Sequence, residues 1–423
     1  MTSFRFLHCA DLHIDSPLRG LEADADAPAE RIRRATRDAF IALVDYAIEQ
    51  QVAFVIAAGD LYDGDWQDWR TGQFLVAQVG RLSRANIPFI AIRGNHDAEG
   101  NISRRLNLPK PACFLQGNRP QSVPLPAFEV VIHGQSFRTR EVTDNIAAAY
   151  PPPVPGMFNI GLLHTSVDGR EGHASYAPCS LAQLRDHGYA YWALGHVHTR
   201  EVLSQDPWVV FPGNIQGRHA REPGAKGATL VAVEDGRVTG AESVVFDAVR
   251  WARVEVDLST AETEDAALAL VRADLANALE DAGGRLLAVR IILHGASPAH
   301  AVLSRDPGAT REKVRAEALA LAGADAIWTE SVSVRTTQTR QTGEPPSLLV
   351  EKIDLLVEKI DALDPAALRA SVTEYGKSML DRASGLRDAL GDLHPAVLVA
   401  AGDLPPDLLE RARALLMLRL AEE

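Results

Sequence analysis

Short apolar runs alternate with stretches whose apolar positions recur at helical spacing over the first hundred residues. Phe4 to Ala10 reads as a buried strand, and Ala29 to Gln50 carries Ile32, Phe40, Leu43, Val44 and Ala47 on one helical face. Val52 to Ala58 predicts a second strand, Thr71 to Arg84 a second helix and Phe89 to Ile92 a third strand. This β-α-β-α-β alternation implies an α/β fold with a largely parallel sheet. Further strand-like runs follow at Val130 to His133, Asn159 to His164, Tyr191 to Leu194, Trp208 to Phe211 and Thr229 to Val233. Few long helices separate them, so the sheet is expected to be mixed or doubled into a sandwich.

The pattern changes near Val245 to Arg253. Beyond it, Ala252 to Leu258, Asp265 to Glu280, Leu286 to Leu293 and Thr310 to Leu321 predict strand, helix, strand and helix, a compact α+β unit. A polar linker, Thr336 to Pro346, then leads to a helical tail in which the heptad Leu348 to Asp354 is repeated at once as Leu355 to Asp361. The expected organisation is therefore a main domain over 1–247, a smaller one over 248–340 and a helical C-terminal region over 346–423.

Length and composition fit this division. At about 150 residues per domain, 423 residues make two or three, and 46% hydrophobic with 23% charged residues is ordinary globular usage. The formal charge of −13 argues against a broad basic face that coats nucleic acid or anionic membrane, although bound cations would offset it locally. Cys9, Cys113 and Cys179 lie far apart with no C-x-x-C pair, so neither a disulfide framework nor a zinc ribbon is indicated, and a reducing cytoplasm fits best. With no signal-type N-terminus and no apolar run of about 18 residues, no membrane partner is expected.

Five polar clusters stand at or just beyond strand ends: Asp11-Leu12-His13, Gly59-Asp60-Leu61-Tyr62-Asp63, Gly94-Asn95-His96-Asp97, His164, and Gly195-His196-Val197-His198. The carboxyl ends of strands are where open α/β sheets assemble sites, so the clusters can converge. Asp11 and His13, like His196 and His198, are two apart and share a face in extended chain. Glycines before Asp60, Asn95 and His196 permit tight turns and positive φ. Carboxylate, imidazole and amide ligands without thiolate suit Mn²⁺, Fe²⁺ or Zn²⁺ better than a calcium cage. Seven ligands are too many for one ion and suit two, about 3.5–4 Å apart. Any one cluster alone would be an ordinary turn; five in this order are not.

These motifs resemble those of calcineurin-like metallophosphoesterases. His8-Cys9-Ala10-Asp11-Leu12-His13, Ala58 to Asp63 and Leu194 to His198 look like the SbcD-type DNA-repair exonuclease branch, and Leu162 to Gly169 and Phe211 to Arg218 look most like its bacterial YhaO members. The motifs span about the first half of the chain. The resemblance implies a metallophosphoesterase β-sandwich flanked by helices, with a small capping domain that positions substrate. It implies that Asp11, His13 and His198 hold one ion, Asn95, His164 and His196 the other, and that Asp60 bridges. An activated water would attack phosphorus in line. His96 would be the catalytic residue that contacts the phosphate or protonates the leaving oxygen, with Asp97 orienting a histidine.

Outside the motifs, Cys9, His8, His133, His187, His294, His300 and His394 read as packing or surface residues. Trp66 and Trp69 could stack on a base or pack in the core. Arg218 is a candidate for binding backbone phosphate, with His219 and Arg221 close by. The leading expectation is a Mn²⁺-dependent DNA exonuclease acting in DNA repair. The alternatives are a phosphodiesterase or phosphatase on small nucleotides, which the acidic balance favours, and a scaffold without activity. By resemblance, the tail stripe of Leu349, Leu356 and their neighbours would dock on an SMC-like ATPase. It could equally pack on its own later helices as a small bundle.

Overall fold

The computed structural model describes residues 3–16, 28–63, 69–98, 106–168 and 176–339, with 373–374, 377–378 and 399 beyond them. The opening alternation is realised as β1 (Ser3–Cys9), α1 (Ala29–Glu49), β2 (Phe54–Ala58), α2 (Arg70–Arg84) and β3 (Phe89–Ile92). The short β4 (Cys113–Phe114) follows, and these four strands pair in parallel as neighbours. All five residues of β2 are buried, as the unbroken run Phe-Val-Ile-Ala-Ala requires of a strand covered on both faces. On the outer side of this sheet, Phe40, Leu43, Val44 and Ala47 of α1 and Leu75, Val79 and Leu82 of α2 pack over Leu7, Val55, Phe89 and Ala91.

A second sheet is built from β5 (Gln121–Leu125), β6 (Val130–Gly134), β7 (Phe158–His164), β8 (Tyr191–Gly195), β9 (Glu201–Gln205) and β10 (Trp208–Phe211), with the short helix α3 (Leu181–Asp186) before β8. Its order is β5-β6-β7-β8-β10-β9, parallel inside and antiparallel at both edges. The chain then returns to complete the first sheet through β11 (Gly227–Glu234) and β12 (Arg237–Val245), giving the order β12-β11-β1-β2-β3-β4. The two six-stranded sheets face each other across Phe6, Phe54, Ile56, Ile90, Ile132, Ile160, Leu162 and Tyr191. The fold is thus a helix-flanked β-sandwich. On the outer face of the second sheet, Trp192 is fully buried where a Cβ on Gly161 would stand, and its indole N–H donates to Leu184 O at 2.8 Å. A glycine there makes room for an aromatic whose loss costs about 3–5 kcal/mol.

Residues 249–338 form a third sheet of three parallel strands, β13 (Val249–Asp257), β14 (Leu286–Ser297) and β15 (Ile327–Gln338). α4 (Glu264–Ala282) connects the first two, and α5 (His300–Arg305) with α6 (Pro307–Ala322) the last two. The helix ends follow capping chemistry. Thr263 and Asp306 side chains accept from Ala266 N–H and Ala309 N–H, and Gly283 ends α4 at φ 59°. The unit has its own core around Val256, Leu275, Val289, Ile291 and Val314.

It is nonetheless fastened to the sandwich. The Gln216 side chain bonds Ala248 N, Val249 N and Val249 O, and buried Asp247 accepts from Arg250 and Arg285. Ile32, Ala35 and Ala220 pack against Val249, Trp251, Leu286 and Trp328. One expectation changes. The polar stretch from Thr336 is not all linker, because Thr336 to Gln338 continue β15, pairing Gly295 to Ser297, and the Thr336 hydroxyl meets His300 Nδ1 at 2.9 Å. The edge strands β5, β9 and β12 were not legible, since one side of each meets solvent. The heptad repeat and its partner-binding stripe lie outside the described residues. Among the described residues, no helix is long and apolar enough to cross a membrane.

Candidate metal centre

The loops leaving β1, β2, β3, β7 and β8 come together at one end of the sandwich. Asp11 N–H donates to Gly59 O and His13 N–H to Asp60 O, each at 3.0 Å, so the first two loops run side by side. Gly59 adopts φ 92°, as the sequence suggested, whereas Gly94 and Gly195 serve close approach. A Cβ on Gly94 would strike Asp60 Oδ1, and one on Gly195 the Ala58 carbonyl oxygen. The candidate ligands themselves take the left-handed region: Asp11 at 50°, His13 at 43°, Asp60 at 52° and His196 at 105°. Such conformations in non-glycine residues cost about 1–3 kcal/mol each and persist where surrounding bonds over-determine them.

Three groups of donors result, two that share Asp11 and a third of His13, Asp63 and His96. Single ligand atoms of Asp11, His13 and His198 lie within 4.8 Å of one another, as do those of Asp11, Asp60 and His164. His13 Nε2 and His198 Nε2 are 3.2 Å apart, and His164 Nε2 is 3.0 Å from Asn95 Oδ1 and 3.4 Å from Asp60 Oδ2. The His196 ring centroid is 5.3 Å from that of His164, and the His196 backbone N–H donates to the Asp11 carboxylate at 3.0 Å. All seven positions singled out from the sequence therefore meet. The carboxylate common to two of the donor groups is Asp11, while Asp60 also accepts the His96 N–H at 2.9 Å.

The charges here oppose one another. Burial would lower the His164 imidazole, but the Asp60 and Asp11 carboxylates raise it to about 9. Burial would raise Asp60, but His164, His13 and His96 hold it well below the usual carboxylate range. Asp11 is pushed up by burial and by Asp60 despite its histidine neighbours. Divalent cations fit this donor set. Buried carboxylates and imidazoles crowded together without thiolate are what an ion of intermediate softness satisfies. The glycine positions where a side chain would collide with the Asp60 carboxylate and with Ala58 O keep the space clear.

Supporting residues surround the ligands; Glu222 and Asp15 were missed because nothing in their local pattern distinguishes them, and Asp63, although inside the second cluster, was given no role. Asp63 Oδ1 accepts from His13 Nδ1 at 2.6 Å and from His96 Nδ1 at 2.8 Å. Glu222, 24 residues beyond His198, takes its Nδ1 at 2.7 Å and is held well below the usual carboxylate range by His198 and Arg218 against its burial. His164 is fixed through Nδ1 to Ala58 O at 2.8 Å. Asp15 accepts both Nε of Arg37, at 2.6 Å, and the Thr71 hydroxyl, tying the first loop to α1 and α2. Asp97 accepts from Leu61 N and Tyr62 N at 3.0 Å and Gly94 N at 3.2 Å, and these bonds join two loops. Arg218 is close to the centre, but its guanidinium lies between Glu222 and Asp63. Trp69 is 47% exposed at the start of α2, and Trp66 lies outside the described residues.

Comparison with known proteins places this geometry. A family model described as calcineurin-like phosphoesterase matches residues 4–200, and one described as metallophosphoesterase YhaO, middle domain, matches 251–337. The chain is 33% identical over 311 residues to an uncharacterized metallophosphoesterase, YhaO, of Bacillus subtilis strain 168, spanning 70% of this chain and 73% of that one. It is 27% identical to the DNA double-strand break repair protein Mre11 of Sulfurisphaera tokodaii, over 55% of this chain and 60% of the relative. Against that of Saccharolobus solfataricus it is again 27% identical, over 48% and 51%.

Proposed function

The chain belongs to the calcineurin-like metallophosphoesterase family, and from that premise we propose that it is a two-metal phosphodiesterase acting on DNA, an exonuclease of DNA repair. The observation that carries the reading is the pair of donor groups, Asp11-His13-His198 and Asp11-Asp60-His164, meeting at one carboxylate. Asp11, His13 and His198 would hold one ion and Asn95, His164 and His196 the other, with the Asp11 and Asp60 carboxylates both beside the second group; Mn²⁺ suits the donors. Such ions supply Lewis acidity to phosphoryl oxygens and to the attacking water.

The chain's own groups do the rest. Asp63 fixes the His96 ring through Nδ1 and, with Asp60, raises its pKa. The partly exposed His96 ring, when protonated, can hold a phosphate oxygen and then release its proton to the departing oxygen. His164 and His198, each bonded through Nδ1, keep Nε2 for an ion and cannot rotate.

DNA as substrate is supported by the archaeal relatives and by the three-stranded unit fastened beside the Arg218 loop. Metal-reconstituted protein should be assayed in parallel on end-labelled duplex DNA, single-stranded DNA and an aryl phosphodiester. Cleavage of DNA from its ends supports the proposal. Turnover of the aryl ester without action on any DNA would assign the site to small phosphoesters, which the charge of −13 would then suit.

A further inference from the structure

Arg218 is held by two carboxylates, and both of those carboxylates hold histidines of the centre. Its NH2 lies 2.9 Å from Glu222 Oε1, its Nε 3.4 Å from Oε2, and its backbone N–H donates to the same carboxylate at 2.9 Å. On the other side, NH1 is 3.4 Å from Asp63 Oδ2. Glu222 Oε1 also takes His198 Nδ1, and Asp63 Oδ1 takes His13 Nδ1. The three charged side chains are 15%, 13% and 8% exposed, so water competes little for these bonds. The loop that carries Arg218 is fixed as well. Asn214 Nδ2 donates to Glu222 Oε2 at 2.9 Å, and Gln216 anchors to Val249.

Without a cation, Asp63 and Glu222 would be two buried negative charges behind neighbouring imidazoles, and each would be drawn toward water or toward a proton. A guanidinium satisfies both at once because its donors fan out in a plane; an ammonium is a point charge that serves one direction best. His164, in the other donor group, is oriented by a different partner, the Ala58 carbonyl. We infer that Arg218 is a positioning residue that acts through Asp63 and Glu222 to aim His13 and His198 at one of the two cations, and not a contact for substrate phosphate. The inference rests on the two-metal reading proposed above.

The test is calorimetric titration of the metal-stripped full chain with Mn²⁺, read together with the electron paramagnetic resonance of the bound ions. Wild type is expected to show two binding events and the signal of a coupled pair. Arg218→Gln should weaken one event about 10–100-fold, the usual effect of losing a ligand's supporting partner, leave the other unchanged, and give an isolated-ion signal. Arg218→Lys should recover part of the loss. Melting of the metal-free proteins checks the fold, and if Arg218→Gln does not fold, Arg218→Lys carries the same comparison.

Equal weakening of both events in a folded variant would overturn the inference, as would unaltered Mn²⁺ binding with a raised KM for DNA, which is the signature of a phosphate contact. A wild type that binds two ions beside an unaffected variant would sink this inference alone. A wild type that takes up no Mn²⁺ would overturn it together with the two-metal reading.

Discussion

His164, at the end of the second sheet, directs its Nδ1 to the carbonyl oxygen of Ala58, at the end of the first, at 2.8 Å. This cross-sheet bond fixes the tautomer and aims Nε2 at Asn95 and Asp60. It depends on the bare backbone of Gly195, where a Cβ would strike Ala58 O and come within 3.0 Å of His164 Nδ1. Gly195→Ala is therefore expected to force the sheet ends apart, at about 1–3 kcal/mol as overpacking commonly costs. Urea denaturation measures the loss, and metal titration should show weakened binding in the same variant. Full stability with full metal affinity would mean that the sheets do not meet as closely as described.

Asp60 and His96 separate binding from chemistry. Asp60→Asn removes a charge from the centre and should lower metal uptake. His96→Gln should bind metal like wild type yet turn over about 10²–10⁴-fold more slowly, the range for losing a general acid. Metal analysis beside steady-state rates on an aryl phosphodiester distinguishes the two variants, and near-normal turnover by both would rule out the site.

Much of this centre was readable because its ligands come in pairs and triplets at strand ends, where Asp11 with His13 and His196 with His198 announce themselves by spacing. Its supports were not. Glu222 is found only when the chain after β10 folds back under His198, and Asp63, although it stands in the second cluster, shows its role only through its contact with two imidazoles. The central strands, buried on both faces, were legible from apolar runs alone. The edge strand β12, with its intermediate and exposed pattern, carries no such run. β15 keeps pairing into polar sequence because Gly295 to Ser297 of β14 supply the backbone partners, a non-local cause that composition does not record.

The small sheet is predicted to be part of the stability of the sandwich. Cutting the chain before Val249 would expose Ile32, Ala35 and Ala220 and leave the Gln216 amide without its Val249 partners. A buried polar group stripped of its bonds costs about 1–3 kcal/mol, before any loss of apolar cover. The truncated protein should melt well below the full chain. Identical melting would show that the two units are independent.

His8 sets an acid limit. Its ring is buried, bonded to the Tyr191 hydroxyl at 3.0 Å and to Leu194 O at 3.1 Å, and burial lowers its pKa to about 3. The unfolded chain, with an ordinary imidazole near 6.5, binds the proton that the folded chain refuses. The contribution is present above about pH 6.5 and is lost progressively as pH falls toward 3, with roughly 2 kcal/mol gone between pH 7 and pH 5. Denaturation of metal-free wild type and His8→Gln at these two pH values isolates it. Parallel pH profiles in the two proteins would contradict the assignment.

The central claim is that two cations sit between the five strand-end loops. Anomalous diffraction from crystals grown with Mn²⁺ tests it most directly. The account predicts two peaks about 3.5–4 Å apart, the spacing of two-metal phosphoesterases, one bound by His13 and His198 and the other by His164 and Asn95. A single peak, or ions bound elsewhere while the protein hydrolyses phosphodiesters, would contradict it.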